Sequence, residues 1–249
     1  VYWHPADIEA NVDALVAAFD ADAIPRGARW VTTATPNPVL KETLRGLAAR
    51  FDGTVLVIEM DPEPIKRALA SDDEARIAAA LSEPAKRVQE ALRETEAAVY
   101  EDIAPLMAHV GTALPPSVKR SVECLFIGGV GTTANVVHSL TEEAFPNAAL
   151  AGWYGDYMNG FSPMRALATL EYRSPHPDVR FDVVDPENVT RLVAPGERGA
   201  VVSHTIRRGF FVPNRWVGDS ARRIIVDGID GIADIERLDT SPPTDHLDG

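Results

Sequence analysis

Three stretches of the sequence place chemically capable residues beside glycines. The first is IGGVGTT, residues 127 to 133, where Gly128 and Gly129 follow an apolar run. Glycines at the end of a strand let backbone N–H groups approach a phosphate at a helix start. They serve equally as a tight strand-to-helix turn. The spacing does not fit the dinucleotide-binding fingerprint, and no terminal Gly-Lys-Ser/Thr of a Walker A loop is present. The second is WYGDYMNG, residues 153 to 160, in which Trp153 and Tyr154 stand ahead of Gly155. An aromatic ring next to glycine offers a flat face to a planar ligand, and a core aromatic before a loop gives the same pattern. The third is FFVPNRWVGDSARR, residues 210 to 223, which sets Asp219 behind Gly218 and ahead of Arg222. A carboxylate accepts hydrogen bonds from both hydroxyls of a vicinal diol, and the preceding glycine permits the turn that aims it. The bland alternative is a strand through Phe210, Val212, Trp216 and Val217 that ends in a Gly218-Asp219 turn.

Other chemistries lack their residues. The six histidines, at 4, 109, 138, 176, 204 and 246, include no i, i+4 pair, and there is one cysteine, so nothing supports a structural zinc site. No Gly-x-Ser-x-Gly elbow occurs, which removes the usual serine hydrolase motif. His138, on the helix expected after the glycine pair, reads either as a pocket residue or as a structural hydrogen-bonding one.

The elements that must position these stretches alternate. A helix begins at His4-Pro5-Ala6-Asp7 and continues through Ile8, Val12, Leu15, Val16 and Phe19. The strand WVTTAT follows, then a helix through Val39, Leu44, Leu47 and Phe51, then TVLVIEM, an apolar strand of the kind a parallel sheet buries on both faces. From Asp72 to His109 a stripe through Ile77, Leu81, Val88, Leu92, Val99, Ile103 and Leu106 has helical spacing, and Pro84 is expected to divide it in two. The charges of that region read as a solvated face. ECLFIGGV is a buried strand, a helix follows through Val136, Val137 and Leu140, and ALAGWYGDYMNG is a further strand. After about residue 165 the segments ATLEYR, VRFDVVDP, GAVVSHTI, FFVPNRWV and RRIIVDG alternate with Pro, Gly and Asn turns. The expected fold is therefore α/β: helices layered on a mainly parallel sheet over residues 1 to 164, and a smaller β-rich subdomain over 165 to 249. Ligands of open α/β sheets bind at strand C-terminal ends, which predicts a site between the halves.

Composition narrows the partners. The 249 residues are 45% hydrophobic and contain no run that would span a bilayer, which predicts a chain that buries a core and has no membrane partner. A net charge of −13 opposes nucleic-acid binding and favours a small-molecule partner. The first residues lack a signal-peptide pattern, and the lone Cys124 among apolar neighbours suits a reducing compartment, so a cytoplasmic location is expected.

Taken in order, the Gly128-Gly129 strand, Tyr154-Gly155, PGERGAVV at 195 to 202 and RWVGDSAR at 215 to 222 resemble the motifs of the adenylate-forming, AMP-binding superfamily. The nearest branch is that of phenylacetate–coenzyme A ligases, acyl-protein synthetases and phenazine-type amide ligases, which includes enzymes of natural product biosynthesis. The resemblance covers most of the chain. It implies ATP-dependent activation of a carboxylic acid to an acyl-adenylate, then transfer to coenzyme A, a carrier protein or an amine. It implies that Gly128 and Gly129 line the adenine and acyl pocket, that Tyr154 stacks on adenine beside Gly155, and that Asp219 holds the ribose. Arg222 would face a phosphate or the carboxylate of Asp219.

Three departures accompany the match. The family's Ser/Thr/Gly-rich phosphate loop would precede Val1, and its small domain with a catalytic lysine would follow Gly249. The Tyr-Gly motif continues as Asp156-Tyr157-Met158-Asn159 in place of Thr or Ser and the Glu that binds Mg²⁺, so Asp156 or Asn159 stands as a substitute and the metal ligand is open. A piece of a longer enzyme is the favoured explanation. The alternative is a non-catalytic AMP- or acyl-binding protein, or a structural interaction domain that keeps the fold. Trp153, Phe161 and Met164 point to an aromatic or otherwise apolar acid, and they suit core packing as well.

Overall fold

The computed structural model describes residues 3–19, 24–34, 37–71, 73–128, 132–156, 160–166, 170–173, 178–226 and 228–238. The chain divides into two compact units, one of residues 8–153 and one of residues 1–7 with 154–249. The α/β expectation holds, with a parallel sheet and its helices in the first unit and an antiparallel sheet in the second.

The first unit is built on β1 (Arg29–Ala34), β2 (Thr54–Glu59), β3 (Val99–Ile103), β4 (Cys124–Gly128) and the start of β5 (Ala149–Asp156), in the order β2-β1-β3-β4-β5 with every neighbour parallel. Crossover helices make parallel pairing possible. They are α1 (Pro5–Ala18), α2 (Pro38–Arg50), α3 (Glu63–Leu69), α4 (Glu74–Thr95), α5 (Ala104–Ala113), α6 (Pro116–Ser121) and α7 (Ala134–Ser139), the last continuing into one π turn, Leu140–Ala144. The core forms around Phe126 on β4, whose ring meets Phe19 at 5.0 Å, Trp30 at 6.0 Å and Trp153 at 4.8 Å. Phe126 and Trp30 are fully buried.

Local chemistry fixes where α2 leaves β1. Pro38 takes the first helical turn, and the Asn37 side chain accepts hydrogen bonds from the backbone N–H groups of Val39 (2.9 Å) and Leu40 (3.4 Å). Asn37→Ala is expected to cost about 1 kcal/mol, read as a lower urea midpoint with an unchanged m-value.

Two expectations fail in the stripe from Asp72 to His109. Pro84 does not divide the helix, since α4 runs from Glu74 to Thr95 with Pro84 inside it. An interior proline removes one hydrogen bond and costs about 3 kcal/mol. The buried face of Leu81, Ala85, Val88, Gln89, Ala91 and Leu92 is continuous across it, and this packing outweighs the local penalty. The stripe also does not stay helical: Glu96 takes a left-handed φ of 47°, and Val99–Ile103 becomes β3 between β1 and β4. A short apolar run carries no reliable period, and parallel pairing on both edges decided its state.

The second unit is an antiparallel sheet in the order β6-β7-β12-β11-β10-β8-β9. Its strands are β6 (Gly160–Ala166), β7 (Glu171–Tyr172), β8 (Val179–Asp185), β9 (Asn188–Leu192), β10 (Arg198–Arg207), β11 (Phe210–Val226) and β12 (Ile229–Arg237). FFVPNRWV and RRIIV are not the separate strands expected on either side of a Gly218-Asp219 turn; both belong to the 17-residue β11. Gly218, with φ of 87°, and register shifts on both sides absorb the bend within the strand. Among the described residues no helix is long and apolar enough to cross a membrane.

Candidate functional site

In the second unit, two of the sequence motifs meet. Tyr154 lies on β5 and Asp219 on β11, 65 residues apart, and the Tyr154 hydroxyl donates to Asp219 Oδ2 at 2.7 Å. That length is typical of an O–H donor on an ionised carboxylate. The Tyr154 ring is held by Tyr172 of β7 at 5.8 Å and Phe181 of β8 at 5.5 Å, both buried. Tyr154 and Asp219 are themselves half-buried, so the pair is anchored on one side and reachable by solvent on the other. Gly155 has a φ of 148°, a conformation open to glycine.

Arg222 forms its ion pair with a different acid from the one expected. Its Nε donates to Asp234 Oδ2 at 2.8 Å, across the β11–β12 ladder. The alternation of side chains along β11 makes this intelligible, because Asp219 and Arg222 are an odd three positions apart on the strand.

In the first unit, the C-terminal ends of β1, β3 and β4 bring together residues that sequence reasoning missed. Glu101 and Asp102 are each 5% exposed. Thr32 Oγ1 donates to Glu101 Oε2. Asp102 accepts from Thr33 Oγ1 at 2.8 Å, from Tyr100 Oη at 3.3 Å and from its neighbour's backbone, Ile103 N–H, at 2.8 Å. Burial pushes the Asp102 carboxyl up to about 7, against those hydrogen bonds. Burial, followed by the charge of Asp102, pushes Glu101 up to about 8. Near neutral pH this pair therefore holds protons that exposed carboxyls would have released. The signal was present as two adjacent acids in the apolar run VYEDI, but a helical reading of that run assigned its charges to solvent.

Gly128 ends β4 beside this pair. A Cβ there would run into the Trp153 indole, with Cδ1 at 2.9 Å, and would stand 3.1 Å from Glu101 Oε1. Trp153 is 4% exposed and belongs to the core of its unit. His138 lies on α7 and is exposed. Gly129 and Asn159 lie outside the described residues, as does Tyr157-Met158, and of Asp156 only the backbone, the last residue of β5, is described. Cys124 is fully buried, and burial pushes its thiol up to about 12, which leaves it inert as a nucleophile at neutral pH. Among the described residues no group of three or more His, Cys, Asp or Glu side chains is placed to hold a metal ion.

The chain shares its fold, a parallel sheet with crossover helices and an antiparallel sheet, with solved structures that it matches at low identity. With 2-hydroxyisobutyryl-CoA ligase in complex with 2-HIB-AMP and CoA it shares 15% identity and a TM-score of 0.66, covering 94% of this chain and 50% of that one. With amide bond synthetase McbA from Marinactinospora thermotolerans the values are 16% and 0.52, covering 91% and 44%. With MbtA from Mycobacterium smegmatis they are 17% and 0.58, covering 93% and 42%. The chain thus spans about half the length of these structures or somewhat less. No protein-family model matches it, and no curated protein does.

Proposed function

We propose that the chain carries the adenosine-binding part of an enzyme that activates a carboxylic acid as its acyl-adenylate. The observation that carries this reading is the 2.7 Å hydrogen bond between Tyr154 and Asp219, which joins the Tyr-Gly and Gly-Asp motifs in one half-buried place. An aromatic face and a carboxylate fixed beside each other are the two groups that adenine and a ribose diol require. The shared fold supports the same reading.

In the proposed reaction a carboxylate oxygen attacks the α-phosphorus of ATP. The bond from that phosphorus to the bridging oxygen breaks, pyrophosphate leaves, and an acyl-adenylate remains. A thiol or amine then attacks the acyl carbon and AMP departs. This chain's share is to bind and orient the nucleoside, so that the reacting atoms are held in position. Coenzyme A, a carrier protein or an amine is the acceptor class, and an aromatic or apolar acid is the substrate class. Gly128, Gly129, Trp153, Asp156, Asn159, His138 and Arg222 keep their proposed roles on the motif order alone. The Mg²⁺ that neutralises phosphate charge in such a reaction is assigned no ligand among the described residues.

A second reading has one observation in its favour. Ile206 and Phe211 face each other across the β10–β11 ladder and are 61% and 67% exposed, as an interaction module would present them. Thermal unfolding with AMP separates the two. At 100 times its dissociation constant, AMP should stabilise the chain by about 2.7 kcal/mol, and Asp219→Ala should sharply reduce the shift at the same AMP concentration. A well-folded chain with no shift at millimolar AMP would favour the interaction module.

A further inference from the structure

We infer that Tyr154 is also a positioning residue, which acts through Asp219 to make binding depend on the ribose hydroxyls. This inference rests on the nucleotide reading above. Asp219 sits on an irregular stretch of β11, between Gly218 with its φ of 87° and a register shift at Ser220/Arg222. Regular strand geometry therefore does not fix the direction of its carboxylate. The nearby guanidinium of Arg222 donates its Nε to Asp234. The phenol of Tyr154, by contrast, reaches Asp219 Oδ2 directly at 2.7 Å.

That phenol is itself held in place. Tyr172 meets its ring at an interplanar angle of 52° and Phe181 at 62°, so two buried aromatics from two further strands restrict where the hydroxyl points. An ionised carboxylate offers about four acceptor positions. The Tyr154 O–H takes one of these on Oδ2 and so sets the plane in which a vicinal diol is met. The same residue thus serves adenine through its ring and ribose through its oxygen, and the two contacts are energetically coupled.

Tyr154→Phe separates the roles, since it keeps the ring and removes the oxygen alone. Calorimetric titrations of AMP and of 2′,3′-dideoxy-AMP would be compared for the wild type, Tyr154→Phe, Asp219→Ala and the double variant, each checked for an unchanged fold by thermal melting. The expected result is about a tenfold loss of AMP affinity in Tyr154→Phe, the scale of one hydrogen bond to a charged group. The affinity for dideoxy-AMP should stay unchanged, and Tyr154→Phe should add nothing on the Asp219→Ala background. If Tyr154→Phe binds AMP as the wild type does, or weakens AMP and dideoxy-AMP equally, the positioning role is overturned while the nucleotide site stands. If the wild type itself fails to prefer AMP over the dideoxy analogue, the nucleotide reading falls and takes this inference with it.

Discussion

Glu101→Gln should flatten the fall in conformational stability between pH 5 and pH 8. The folded-state carboxyl is raised from an ordinary 4.5 to about 8, chiefly by burial and then by the charge of Asp102. Between those values the folded chain binds more protons than the unfolded chain, so stability declines as pH rises. The contribution of the protonated group is fully present below the ordinary carboxylate range and is lost as pH climbs through the folded-state value. Asp102, raised to about 7, contributes the same sign over a window that closes earlier. A glutamine keeps the shape and an acceptor for Thr32 Oγ1 but does not titrate. The variant should match the wild type at pH 5 and exceed it by about 3 kcal/mol at pH 8, since a proton held by only one of the two states changes stability by about 1.4 kcal/mol over each pH unit and relaxation of the site takes back part of that. Urea unfolding at pH 5, 6.5 and 8 checks this. Parallel pH profiles for the two proteins would show that Glu101 ionises freely in the folded state.

Gly128→Ala carries the second large effect. The added methyl meets the Trp153 indole and Glu101 Oε1, and neither has room to retreat. Trp153 is packed edge-on against Phe126 at 4.8 Å, and Glu101 is fastened to Thr32. Overpacking at such a position costs about 2 kcal/mol. In a chain of this size that corresponds to a drop of about 6 °C in the melting midpoint. Trp153→Phe on the same background removes the colliding indole edge, and the pair should be less destabilised than the sum of the single changes. An unchanged midpoint in Gly128→Ala would mean that the close approach of β4 and Trp153 does not constrain the fold.

Much of this architecture was legible because its signals were local. TVLVIEM and ECLFIGGV read as strands from their unbroken apolar character, and β2 and β4 are both members of the parallel sheet. Only β4 is buried, however: β2 is the edge strand, where no neighbour covers one side, and its Leu56 is 44% exposed. The helix through Val39, Leu44 and Leu47 carried its own period, and these residues form the buried face of α2. What failed depended on partners distant in sequence. VYEDI looked helical until β1 and β4 flanked it, and Pro84 looked like a breaker until its neighbours' packing was known. β11 runs through a Gly-Asp corner because β10 and β12 hold it on both sides.

The candidate site residues divide along the same line. Tyr154 and Asp219 stood out by type and by the order of their motifs, yet no spacing in the sequence shows that the phenol of one reaches the carboxylate of the other. Glu101 and Asp102 stood in the sequence as two adjacent acids, but nothing there showed that both are buried. Their consequence arises from burial at strand ends, and a charge in a sequence is by default a solvated one.

The nucleotide assignment is tested most directly by a crystal structure of this chain grown with AMP. The prediction is adenine against the Tyr154 ring and both ribose hydroxyls within hydrogen-bonding distance of the Asp219 carboxylate, with the Tyr154–Asp219 bond retained. AMP bound elsewhere, or a Tyr154–Asp219 pair left untouched at saturating AMP, would contradict it.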